Sequence, residues 1–415
     1  MTFAHAQKRE TMAPNPLHLG VALDGAGWHP AAWREPNSRP AELFSPGYWT
    51  DLVRIAERGL LDFVSIDDSL RIPGGWHAQT DDAVDQVRAR IDAHLIAALV
   101  APATRHIGLI PTVTTTHTEP FHVSKAIATL DYTSRGRAGW QARVSGTAEE
   151  AAHFGRREVR DLTAAEIAQA VASGVFPDHV HDLFAEAADA VEVVRRLWDS
   201  WEDDAEIRDV ATRRFIDRDK LHYIDFEGRF FSVRGPSITP RPPQGQPVVA
   251  ALAHAPLVFE FAARGADLVF VTPPRETGPA AVLEQVAAAA ARVDRDGEPL
   301  RVFADLTVFL DTDKETGPQR LTRLSEVAGS EFDSDAAIFA GSADELADLL
   351  TDWSGQGLDG FRLRPGVAVD DLVAVTDRLV PALQQRGVFR SGYPDGSLRA
   401  LLGLPTDVPN RYATA

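Results

Sequence analysis

The chain has 415 residues, 44% of them hydrophobic, and sets 42 Lys and Arg against 60 Asp and Glu, a formal charge of −18. So acidic a composition argues against a nucleic-acid footprint and against attraction to anionic lipid. The absence of cysteine removes disulfides, thiolate metal sites, iron–sulfur clusters and cysteine nucleophiles, while the length suits one α/β barrel with insertions.

Residues 1–16, MTFAHAQKRETMAPNP, lack a secretory-type apolar segment and are expected to form a disordered leader. No apolar run approaches the ~18 residues of a spanning helix, so the expectation is a cytoplasmic protein. A single domain is expected over 17–405, with a C-terminal tail at 406–415. Its first strand is LHLGVAL (17–23). In SPGYWTDLVRIAERGL (45–60), Ser45 can cap a helix and Pro46 suits its first position; Trp49, Leu52, Val53, Ile55 and Ala56 supply the apolar stripe. The strand LDFVSI (61–66) precedes a helix DAHLIAALVAPAT (92–104) that Pro102 stops. HIGLIPTVT (106–114), the helix VSKAIATLDYTS (123–134) and AGWQARV (138–144) follow. An insertion of about 145–246 holds the helix ADAVEVVRRLWDSWEDD (188–204) and ends in a Pro-rich lead-in at 236–247; a stretch this long is normally functional. PVVAAL (247–252), the helix FEFAARG (259–265), DLVFV (267–271) and RVFADLTVFL (301–310) come next. The helix SADELADLLTDWSGQG (342–357), GFRLRP (360–365) and the helix DDLVAVTDRLVPALQQRG (370–387) complete the series. Most of the eight strands are near-continuously apolar, as in a parallel sheet buried on both faces. The fold class expected is therefore α/β, a (β/α)8 TIM barrel with a long insertion between strands 4 and 5.

In such a barrel the site lies at the C-terminal strand ends. Those ends carry Asp24, His29, Asp67, Asp68, Thr112, Thr114 to Thr116, His117, Gln141, Arg143, Ser145, Ala253, His254, Thr272, Arg362 and Arg364. The set is polar and aromatic, poor in metal ligands and without a nucleophile–base arrangement, so it suits a large planar, polar-edged ligand better than hydrolysis. Plainer roles compete. Asp67 and Asp68 can cap a turn, and single threonines can cap a strand end. Trp198 and Trp201 read as helix core, and His29 and Trp33 either line a mouth or pack a loop. Arg362 and Arg364 read as partners for carboxylates rather than as an anion site. His179 and His181 read as a helix start, and no metal site is expected.

Several segments resemble one family in order along nearly the whole chain: GWHPAAWREP (27–36), DFVSIDDSL (62–70), PTVTTTHTEPFHVSKAIATLDYTSRGRAGW (111–140), VEVVRRLWDSWEDDA (191–205), HYIDFEGRFFSVRGP (222–236), PRPPQGQP (240–247), LVPALQQRGVFRSGY (379–393), LRALLGLP (398–405) and NRYA (410–413). The chain resembles the bacterial-luciferase-like flavin monooxygenases, in the branch of nitrilotriacetate, EDTA and dibenzothiophene sulfone monooxygenases. The resemblance implies a TIM barrel that takes FMN as reduced flavin from a separate NADH- or NADPH-dependent flavin reductase. It implies O2 as co-substrate, a small organic substrate, and a homodimer or homotetramer. It makes Asp68 and Thr114 flavin contacts. Gln141 and Ser145 fall in the strand-four signature, with Val144 where relatives have Thr. Phe184 falls where they have Tyr, and Ala253 and His254 where they have a hydroxyl-bearing phosphate loop. These seven are the expected cofactor residues. His29 and His117 are expected for proton transfer, since histidine titrates near neutral pH. Two alternatives stay open: a metal-dependent hydrolase on the same barrel using His179, His181 and Asp182, and a non-catalytic flavin-binding relative with the altered loop ALAHAP (251–256).

Overall fold

A computed structural model describes residues 17–73, 83–293, 295 and 298–413; the expected leader lies outside them. Nine parallel strands make one sheet: β1 (His18–Leu23), β2 (Phe63–Ile66), β3 (Gly108–Thr114), β4 (Gly139–Arg143), β5 (Val248–Leu252), β6 (Leu268–Val271), β7 (Arg301–Leu310), β8 (Ala337–Gly341) and β9 (Gly360–Pro365). Their order is β6-β5-β4-β3-β2-β1-β9-β7-β8, and β6 also pairs with β7, closing a ring of eight. The eight strands expected from the sequence are that ring. β8 is additional. β7 is long enough to take two neighbours on one edge: Arg301 to Ala304 pair with β6, and Leu306 to Leu310 pair with β8. Among the described residues, β7 is the only strand that pairs with β8.

Strand parity divides the molecule into two cores. Outward-facing Leu19, Val21, Val64, Leu109, Trp140, Val249, Val269, Leu306 and Leu363 pack under the helices. Inward-facing Phe63, Ile110, Val248, Ala250, Leu268, Phe270 and Phe303 fill the lower barrel, and Leu398, Leu402 and Leu404 plug it from below. Small residues admit these rings: a Cβ on Gly20 would stand 2.4 Å from Phe63, and one on Gly108 2.3 Å from Leu398. Higher up the inward positions turn polar, with Ser65, Thr112, Gln141, Asp305, Arg362 and Arg364 all buried.

Helices surround the ring: α1 (Pro46–Arg58), α2 (Ala93–Val100), α3 (Pro120–Ser134), then α4 (Ala148–Ala152), α5 (Ala164–Ser173) and α6 (Asp178–Asp199) in the insertion, and α7 (Pro256–Gly265), α8 (Ala280–Arg292), α9 (Gly317–Ala328), α10 (Ala343–Gly355) and α11 (Ala368–Ala374). Ser45 caps α1 by accepting from the Tyr48 amide at 3.3 Å, and Pro46 opens it. α6 begins at Asp178, ten residues before the expected start, and its Trp198 donates to the Ser124 carbonyl of α3 at 3.0 Å. Two small antiparallel hairpins complete the insertion, one pairing Glu206–Asp209 with Arg214–Ile216 and one pairing Phe226–Glu227 with Ser232–Val233. The described part of the C-terminal tail is tied to it. Arg411 reaches Asp199 at 3.2 Å, Asn410 donates to the Asp199 and Trp201 carbonyls, and Arg241 donates to the Val408 carbonyl. No helix among the described residues is long and apolar enough to cross a membrane.

Candidate active site

Between α2, α3 and the tops of β2, β3 and β4 lies a cavity of about 280 Å³ walled by Asp68, Thr112, Thr114 and Arg143 on the strand side and by His94, His122 and Ile127 on the helix side. β3 presents Thr112 and Thr114 on its inner face because they follow Ile110 at the two-residue period of a strand. Thr112 is 2% exposed and its hydroxyl oxygen has no hydrogen-bond partner. Buried polar atoms are rarely left so. Thr114 Oγ1 donates to Ser145 Oγ at 2.8 Å, and the Ser145 amide donates to Thr116 Oγ1 at 2.8 Å, which pins the turn after β4 to the end of β3.

Asp68 accepts from the Ser69 and Ala93 amides at 2.8 and 2.9 Å. Burial nevertheless pushes its carboxyl up to about 6, because desolvation of the charge outweighs these bonds and the nearby Arg90. Arg143 Nη1 donates to the Asp68 carbonyl at 2.7 Å. Beside this stands an ionic cluster. Arg90 pairs with Asp24 at 2.6 Å and approaches Asp67 at 3.5 Å, and its Nη1 donates to Ser69 at 2.9 Å. Burial raises the Asp24 carboxyl despite its pairing with Arg90.

A second polar system crosses the barrel interior. Arg362 donates to Gln141 Oε1 at 2.5 Å and grips Asp305 through Nε and Nη2, with its guanidinium 3.7 Å from the Phe270 ring centre. Arg364 binds Asp305 and, at 2.5 Å, Asp335. Asp335 is 3.2 Å from His254 Nε2, and His254 Nδ1 is 2.8 Å from Thr272 Oγ1. Burial would raise the Asp335 carboxyl, but the His254 bond and the Arg364 guanidinium hold it well below the usual range. Both arginines are thus committed to carboxylates.

Of the residues expected from the sequence, Asp68 and Thr114 line the cavity, and Ser145 is bonded to Thr114. Gln141 sits in the polar layer with its oxygen taken by Arg362. The Ala253 amide is spent on the Phe270 carbonyl at 2.9 Å, and Phe184 packs on Phe261 at 5.8 Å. His254 stands before the first turn of α7, which starts at Pro256 with no side-chain cap. His117 stacks on Phe154 at 4.9 Å, its Nε2 buried and unpartnered; burial and then Arg157 lower its pKa. His29 lies apart, between Phe309 and Phe332, 1% exposed, with Nδ1 accepting from the Ala31 amide at 3.1 Å and Nε2 unpartnered. Among the described residues, no group of three or more His, Asp or Glu side chains is placed to hold a metal ion. Asp182, one member of the set that the hydrolase alternative would use, is chelated by Arg229.

Arg90, Asp305 and Asp335 escaped the sequence reading. Asp305 had a legible signal, a lone charge inside the apolar run RVFADLTVFL on the same parity as Phe303. Arg90 and Asp335 sit in polar loops and had none. Over this face the insertion forms a larger, half-open cavity of about 700 Å³, bordered by α4, by residues 157–160, by the start of α6 and by Phe230. Arg157 on its wall donates to the Thr116 carbonyl at 2.5 Å, joining that cavity to the end of β3.

Comparison with known proteins gives a consistent answer. Residues 26–358 match the family described as luciferase-like monooxygenase. The chain is 28% identical to N-acetyl-S-(2-succino)cysteine monooxygenase of Bacillus subtilis (strain 168), covering 96% of this chain and 98% of that one. It is 29% identical to nitrilotriacetate monooxygenase component A of Aminobacter aminovorans, covering 94% and 96%. The crystal structure of long-chain alkane monooxygenase shares the fold, with a TM-score of 0.80 at 23% identity over 94% of this chain and 96% of that one.

Proposed function

The chain belongs to the luciferase-like monooxygenase family, and from that premise we propose that it oxygenates a small organic substrate with reduced FMN and O2, the flavin arriving from a separate NADH- or NADPH-dependent reductase. The cavity at the tops of β2 to β4 is the observation that carries the proposal. A flavin ring presents N–H and C=O groups side by side along one edge. The orphaned Thr112 hydroxyl, the Arg143 guanidinium and the Asp68 carboxyl offer complementary partners there. Thr114, fixed by Ser145, would support the ring, and Gln141 would face it from the layer beneath. Phe184 and Ala253 would wall the path toward α7. His254 and the Leu257 amide would meet the phosphate at the start of α7, where Pro256 has no amide and the Val258 and Phe259 amides donate to the Ala255 carbonyl; Asp335 stands behind that histidine and offsets its charge.

Bound reduced flavin supplies the two electrons and the position at which O2 reacts. One oxygen atom enters the substrate and the other leaves as water. The protein's part is to orient, to keep water out and to manage protons. His117, held neutral by burial and by Arg157, can accept a proton at Nε2. His29 is sequestered among phenylalanines, and we assign it to packing.

The test is an anaerobic titration with photoreduced FMN, followed by mixing with oxygenated buffer. Saturable binding and a reoxidation rate distinct from that of free reduced FMN are expected. No saturation at millimolar reduced FMN overturns the proposal. Saturation with no substrate-dependent change across a broad substrate screen supports the non-catalytic alternative instead.

A further inference from the structure

We propose that the larger cavity in the insertion receives a neutral, mainly apolar organic molecule and disfavours polycarboxylates, so that it sets the substrate class of the monooxygenase reading on which it rests. Its volume, about 700 Å³, is within the usual range for small-molecule sites. Ala148, Ala151, Val159, Leu183 and Phe230 give it apolar surface.

The two guanidiniums on the wall are already paired. Arg157 is bound by Glu186 at 2.5 Å and also gives a bond to Thr116. Arg160 is bound by both oxygens of Glu166, at 2.6 and 2.8 Å. Against these two guanidiniums the wall sets three carboxylates, Glu158, Glu186 and Asp182, the last of them held by Arg229, beside the imidazole of His179. An incoming carboxylate must therefore displace a carboxylate already in place, inside a chain of charge −18. A neutral ligand displaces only water from apolar surface.

Phe230 is held for this role. It sits at the turn of the hairpin pairing Phe226–Glu227 with Ser232–Val233. Arg229 stacks on its ring at 5.0 Å while chelating Asp182 of α6 at 2.6 and 3.0 Å. This pairing sets the hairpin turn beside the start of α6, whose Asp182 and Leu183 also line the cavity.

Equilibrium dialysis of the full chain tests this with dibenzothiophene sulfone as the neutral probe and nitrilotriacetate as the polyanion, with reduced FMN titrated in parallel. The sulfone is expected to bind saturably at one site, and nitrilotriacetate at least tenfold more weakly. Phe230→Ala and Leu183→Glu should each weaken sulfone binding at least fivefold while reduced FMN still binds, which also shows that the variants fold. Glu186→Gln, which frees Arg157, should strengthen nitrilotriacetate binding. Nitrilotriacetate binding as tightly as the sulfone, or sulfone binding indifferent to both cavity variants, overturns the inference. A protein that binds the sulfone in this way but ignores reduced FMN overturns the flavin reading and leaves the cavity's preference standing.

Discussion

The imidazole of His29 is buried so completely that its pKa falls to about 4 from an ordinary 6.5, with desolvation outweighing the nearby Glu35. Below pH 6.5 the unfolded chain takes up a proton that the folded chain refuses, so stability declines as pH falls toward 4. A cost of roughly 1–3 kcal/mol is expected across that window. Urea midpoints at pH 7 and pH 4.5 should differ more for the native chain than for His29→Gln; equal differences would refute the assignment. Asp68 has the opposite displacement. Its carboxyl keeps a proton up to about pH 6, so the charge it presents to the cavity changes between pH 5 and 7. Flavin affinity should change over that interval and become flat in Asp68→Asn, as read by fluorescence titration. A profile that is unchanged in the variant removes Asp68 from the ring site.

At the level of elements, the eight ring strands were legible because most are near-continuous apolar runs between helical or turn segments. β8 was not, because AIFAG has five residues, lies between polar turns and, among the described residues, pairs only with the upper half of β7. Nor were α8 and α9 read from the sequence, since α8 is largely alanine and α9 is mostly polar. The cavity lining was legible where residue type and position at a strand's C-terminal end coincide, as at Asp68, Thr112, Thr114 and Arg143. Its ionic partners come from distant loops whose meeting depends on barrel closure. The fit of α9 against β7 and β8 is tight. A Cβ on Gly317 would lie 1.9 Å from the Phe309 carbonyl oxygen and 2.8 Å from the Gly341 nitrogen, whereas Gly355 has open space. Gly317→Ala is expected to cost about 2–4 kcal/mol and Gly355→Ala less than about 0.5 kcal/mol in denaturant titrations. Equal effects would mean that this packing is not as described.

Across the whole molecule, the C-terminal segment ties the end of α6 and the close of the insertion to the lower end of the barrel. Asp199, 4% exposed at its side chain, is shared by Arg241 and Arg411, and removing residues 406–415 takes away the second partner. The truncated chain should lose about 2–3 kcal/mol, seen as a lower melting temperature, because a buried carboxylate is left under-compensated. An unchanged melting temperature would mean that the tail contributes nothing. The branching of β7 has its own result. Below Leu306 the wall is closed by backbone bonds to β6, but above it β7 turns to β8, and the gap between the tops of β6 and β8 is bridged by side chains, through His254 with Thr272 and Asp335 and through Arg275 over Phe339. Side-chain bridges break singly, whereas a strand ladder yields cooperatively. The barrel therefore has a seam, and deuterium should enter the amides of β8 before those of β3, making this flank the one along which the rim can part while the rest of the ring stays shut.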